Sequence, residues 1–72
     1  MAQTVDARGF SCPQPVLMAS QAMQQVGSGE IEVLVDNEAS RENVGRAAQS
    51  KGWSVAADEE VGSDFRLLLK KS

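Results

Sequence analysis

The chain has 72 residues, one cysteine, no histidine and a formal net charge of −3. That length supports one small domain, residues 1–72, with a marginal core. A lone cysteine excludes an internal disulfide and a Cys-x-x-Cys redox pair, and without histidine no Cys/His zinc site and no Ser-His or Cys-His catalytic pair can be built within one chain. The negative balance argues against direct nucleic-acid binding, which Lys and Arg drive by neutralising phosphates. No run reaches the length of a membrane span. The start, Met1-Ala2-Gln3-Thr4, lacks the basic and apolar regions of a secretory signal, so the expected compartment is the cytoplasm, where a free thiol stays reduced.

Residues 3–6 read as a short strand centred on Val5. Asp6-Ala7-Arg8-Gly9 reads as a loop, with Gly9 supplying conformational freedom and Phe10 returning to the core. A helix is predicted over 13–26. Val16, Ala19, Met23 and Val26 form its apolar stripe, and Gly27-Ser28-Gly29 ends it. Residues 30–35 alternate, with Ile31, Val33 and Val35 on one face and Glu30 and Glu32 on the other, as in a half-buried strand. Leu34 breaks the pattern on the polar face. Asn37 or Ser40 caps a second helix that buries Val44, Ala47 and Ala48 and ends near Lys51. Residues 53–58 and 65–70 read as two strands of a hairpin joined through residues 59–64. Trp53, Val55 and Ala57 share one face of the first, and Phe65, Leu67 and Leu69 one face of the second. The order β-α-β-α-β-β predicts a two-layer α/β (α+β) sandwich, a four-stranded mixed sheet with two helices on one face.

Chemistry concentrates at Cys12-Pro13-Gln14-Pro15. Proline is favoured at the first helical position, and the residue before it is pushed out of helical geometry. Cys12 therefore reads as the N-cap. Unpaired N–H groups and the positive end of the helix dipole favour its thiolate, the nucleophilic form. The competing reading is a small buried hydrophobe, the usual fate of a free cysteine. The two prolines weigh against that, because they fix Cys12 at the end of an element.

The run Asp6-Ala7-Arg8-Gly9-Phe10-Ser11-Cys12-Pro13-Gln14-Pro15 resembles the D-x-x-G-x-x-C-P-x-P signature of the TusA/SirA/YedF family, and the likeness extends over nearly the whole chain. Val35-Asp36-Asn37-Glu38, followed by Glu42-Asn43-Val44, looks most like the YedF branch, which is associated with selenium metabolism. The resemblance implies a sulfur carrier, a relay component more than a stand-alone enzyme. A cysteine desulfurase or other sulfurtransferase donates a sulfane sulfur. Cys12 carries it as a persulfide and passes it to a downstream acceptor protein, towards tRNA thiolation or another sulfur or selenium pathway. No cofactor, no metal, no direct nucleic acid and no membrane are implied. The alternatives are a thiol-based redox regulator and a non-catalytic protein-interaction module.

Supporting roles fall to five residues. Pro13 and Pro15 hold Cys12 in place, Gly9 sets the loop backbone, and Asp6 shapes the turn by accepting from loop N–H groups. Arg8 either brings positive charge near the sulfur or is a solvated or partner-facing loop residue. Leu17 and Met18 either form a docking patch beside the thiol or pack at the core's periphery.

Overall fold

A computed structural model describes residues 2–10 and 14–71. In chain order its elements are β1 (Ala2–Asp6), α1 (Gln14–Val26), β2 (Gly29–Val35), α2 (Glu38–Ser50), β3 (Ser54–Val61) and β4 (Asp64–Lys71). They form the expected two-layer sandwich, with one four-stranded sheet in the order β1-β2-β4-β3. β1 runs parallel to β2, while β4 is antiparallel to both β2 and β3. β3 therefore runs parallel to β1 and β2, and β4 fills the gap between β2 and β3.

The alternation in β2 sets the layers. Ile31, Val33 and Val35 are fully buried. They stand level with Leu69, Leu67 and Phe65 of β4, and Val33 also with Val5 of β1. Ala19, Ala22 and Met23 of α1 and Val44 and Ala48 of α2 close the core from the other layer. The remaining face of the sheet carries cross-strand ion pairs. Glu30 meets Lys70 at 3.7 Å, and Arg66 bridges Glu32 and Glu59. Such pairs contribute little stability singly, but they keep an uncovered sheet face wet.

One open choice is settled and three expectations shift in position. Asn37, and not Ser40, is the α2 cap: its extended backbone sets its Oδ1 to accept from Ser40 N at 2.8 Å. Trp53 precedes β3 and is buried there, its N–H donating to Ala48 O at 2.9 Å. A bulge between Val55 and Ala57 turns Ala57 to the uncovered face, opposite Leu68, so the expected Trp53-Val55-Ala57 face does not form. The hairpin connection shortens to two residues, Gly62 and Ser63, between the paired Val61 and Asp64. Gly62 takes φ 64 at the first central position, which is what permits so tight a turn.

Two buried side chains of α2 and β4 make a contrast that can be measured. Leu67 is 1% exposed in an inner strand, so Leu67→Ala is expected to lose about 2–5 kcal/mol in urea denaturation. Ser40 is equally buried, yet its Oγ has no hydrogen-bond partner among the described residues. Ser40→Ala removes an unsatisfied group and should hold or raise the denaturation midpoint. A loss from Ser40→Ala as large as that from Leu67→Ala would refute this reading of the core.

Candidate functional site

The segment leading from β1 towards α1 lies at the edge of the sheet where β1 and β2 end. Pairing with β2 continues one residue past β1, since Ala7 N donates to Leu34 O at 2.8 Å and the Ala7 side chain is fully buried. The chain then turns. Asp6 Oδ1 accepts from Arg8 N at 3.2 Å, an Asp-type turn in which the side chain imitates a backbone carbonyl. The same carboxylate grips the Arg8 guanidinium in a fork, Nε to Oδ1 and Nη2 to Oδ2, both at 2.9 Å. Arg8 Nη1 also reaches Asp64 Oδ2 at 3.4 Å, at the start of β4.

Gly9 is tied to a different element. Its N–H donates to Asp36 Oδ2 at 2.7 Å. Asp36 Oδ1 accepts from Asn37 Nδ2 at 3.1 Å, and Asn37 caps α2. A continuous path of hydrogen bonds thus runs from the loop to the first turn of α2. Gly9 has φ 86, a left-handed backbone that a side chain disfavours, although open space surrounds the position a Cβ would occupy. Conformation and not crowding requires glycine there.

The structure therefore brings Asp6, Arg8 and Gly9 together. Pro15 is buried in the first turn of α1. Cys12 and Pro13, with the N-cap geometry read for them, lie outside the described residues. Phe10 departs from its expected place in the core: it is 47% exposed, one residue past the Gly9 N–H bond to Asp36 at the end of β2. Leu17 is also exposed, at 56%, while Met18 is half-buried against the core. Two large apolar side chains on either side of residues 11–13 in sequence, Phe10 and Leu17, are thus open to solvent.

Arg8 meets two carboxylates, so its charge is compensated within the loop and the β4 start. Paired this way, the guanidinium holds its proton more firmly than usual, chiefly through the hydrogen bond to Asp6. Reciprocally, the side-chain and backbone hydrogen bonds from Arg8 hold the Asp6 carboxyl down at about 2. Arg41 is engaged too, paired with Asp58 at 3.0 Å and lying over the Phe65 ring at 5.0 Å. Asp36 and Asp64 were not singled out as site residues from sequence. Asp36 enters the sequence reading only within the run Val35-Asp36-Asn37-Glu38, and nothing local signals that Asp64 will meet a residue far away in the chain.

The sequence model of the family described as "Sulfurtransferase TusA" matches residues 3–71. A putative sulfur carrier protein of Methanocaldococcus jannaschii is 38% identical over 68 residues, which cover 93% of this chain and 91% of that protein. The sulfur carrier protein TusA of Allochromatium vinosum is 31% identical over 71 residues, covering 97% and 93%. The crystal structure of a SirA-like protein from Desulfitobacterium hafniense superposes with a TM-score of 0.86 at 33% identity, over 97% of this chain and 96% of that one.

The Asp6–Arg8 pair predicts a pH response. A carboxyl held below its ordinary 3.8 in the folded protein contributes stability at higher pH. That contribution is lost as pH falls from about 4 through about 2. A carbon-detected NMR titration should place the Asp6 midpoint near 2, and Arg8→Leu should return it towards 3.8. An unchanged midpoint in Arg8→Leu would show that Arg8 is not the cause.

Proposed function

The chain belongs to the TusA sulfurtransferase family, and from that premise we propose that it is a sulfur carrier whose cargo rides as a persulfide on Cys12. One observation carries the reading: the family match spans residues 3–71, and the only thiol in that span follows in sequence on a loop anchored to the start of β4 and to Asp36 between β2 and α2.

The chemistry needs only sulfur exchange. The Cys12 thiolate attacks the outer sulfur of a donor persulfide. A new S–S bond forms on Cys12, the donor's S–S bond breaks, and the donor leaves as a thiolate. In the second step an acceptor thiolate attacks the outer sulfur on Cys12 and Cys12 departs as the thiolate. No external oxidant or reductant enters. A second thiol in the chain would divert the persulfide into an internal disulfide, and there is none.

The surroundings suit this task. α1 begins at Gln14, so the unpaired N–H groups of its first turn stand close in sequence to Cys12 and favour an anion. Exposed Phe10 and Leu17 flank the thiol in sequence and offer apolar contact to a partner protein. The donor in this reading is a cysteine desulfurase or another sulfurtransferase. The acceptor is a protein of a pathway such as tRNA thiolation or another sulfur or selenium route. Among the described residues no helix is long and apolar enough to cross a membrane.

The test is intact-mass spectrometry after incubation with a desulfurase and free cysteine. The expected product is the chain plus one sulfur atom, removed by reductant and absent in Cys12→Ser, which should fold normally. A protein that refuses sulfur yet forms a stable sulfenate with peroxide would replace the carrier by a redox sensor. Alkylation of Cys12 by iodoacetamide should show a midpoint below the free-thiol value of about 8.5. A midpoint at or above that value would remove the activated thiolate from the mechanism.

A further inference from the structure

The two edges of the sheet are built differently. β3, at one edge, carries Asp58, Glu59 and Glu60 in succession and a bulge between Val55 and Ala57. Charge and a bulge are the usual means of keeping an edge from pairing with another chain. β1, at the other edge, has neither: its five residues run Ala2-Gln3-Thr4-Val5-Asp6 in unbroken register with β2. Only its last residue is charged, and that carboxylate is held by Arg8.

The layer above β1 is equally free of charge. α1 contains no Asp, Glu, Lys or Arg from Gln14 to Val26. Between α1 and β1 runs an open groove of about 270 Å³, whose helix side is Met18, Gln21, Ala22 and Gln25. Among the described residues the ion pairs lie elsewhere, on the uncovered sheet face, along α2 and on β3, apart from those Arg8 makes with Asp6 and Asp64.

The hydrogen-bonding groups of β1 divide by alternation. Ala7 N bonds β2, so in the same parallel ladder Val5 and Gln3 also point their backbone groups at β2. Ala2, Thr4 and Asp6 point theirs away from the sheet, unpaired by any strand among the described residues.

We propose that this edge is a self-association surface, and that two copies of the chain pair antiparallel through β1 to make one continuous eight-stranded sheet. Centred on Thr4, the pairing sets Thr4 against its own copy, Ala2 against Asp6 and Gln3 against Val5. No like charges meet, and opposed threonines are a favourable cross-strand pair. The arrangement is isologous and closes after two copies, since the only other edge is the protected β3. A partner strand of another protein is disfavoured because the surface offers it no charge beyond the Arg8-paired Asp6, whereas a second copy meets it without opposing like charges. The antiparallel sense sends the two Asp6–Phe10 loops to opposite ends of the shared strand pair, so both remain open to sulfur donors and acceptors.

Sedimentation equilibrium tests this, extended to about 1 mM because one short strand and a helix flank make a small, weak interface. The expected mass rises with concentration from one chain of 7.7 kDa towards twice that value. Thr4→Pro deletes an outward N–H without touching the ladder to β2 and should hold the protein at the one-chain mass. Thr4→Asp keeps that N–H but opposes two carboxylates at the two-fold axis, and should do the same. Hydrogen exchange of the unaltered protein gives an independent reading: protection of the Thr4 and Asp6 amides should grow with concentration, while that of Gln3 and Val5 stays constant. A one-chain mass at every concentration, association undiminished in Thr4→Asp, or growing protection on β3 instead would each overturn the proposal.

Discussion

The Asp36 carboxylate is the joint on which the site depends. One oxygen takes the Gly9 N–H at 2.7 Å and the other takes the Asn37 side chain at 3.1 Å. The first bond fixes the loop after β1, and the second orients the residue that caps α2. Removing this carboxylate would leave the Gly9 donor to water and free the Asn37 amide to turn. If the loop presents a nucleophile to other proteins, as proposed, such anchoring spends its entropy in folding and not at each encounter.

The second anchor depends on strand order. Arg8 reaches from the end of β1 across β2 to Asp64 at the start of β4. In the simpler order, with β3 beside β2 and β4 outermost, Asp64 would lie farther off by one strand spacing, about 4.8 Å, beyond the arginine's hydrogen-bond reach. Inserting β4 between β2 and β3 therefore does two things. It leaves β3 as the exposed edge, where the acidic run and the bulge are useful. It also brings a carboxylate within range of the loop.

Most of the architecture was legible in the sequence because its signals are local. Alternation in β2, the apolar stripe of α1 and the glycines after each helix act over a few residues, and they gave the element order and the two layers. Cross-chain geometry was not legible. The bulge at Ala56 follows from how β3 meets β4, so the strand's apparent alternation pointed Ala57 to the wrong face. Phe10 looked like a core residue by composition, but it is exposed in a loop whose preceding Gly9 is held by Asp36, on another strand end. For the site, the turn around Asp6 and the left-handed Gly9 were readable from residue type, whereas the reach of Arg8 to Asp64 was not.

Charge in this protein is distributed by layer and side. The ion pairs gather on the uncovered sheet face, along α2 and around the loop, where Asp6 and Asp64 share Arg8. A guanidinium so compensated is a poor source of positive potential for a nearby thiolate, since the field of the pair falls off faster than that of a single charge. Under the proposed carrier role, stabilisation of a Cys12 anion falls to oriented N–H groups at the start of α1, whose dipoles are set by the helix and do not titrate. In that reading the thiol's reactivity is tied to backbone geometry. The role of Arg8 is then to hold the loop's shape, and the acidity of Asp6 measures how firmly it does so.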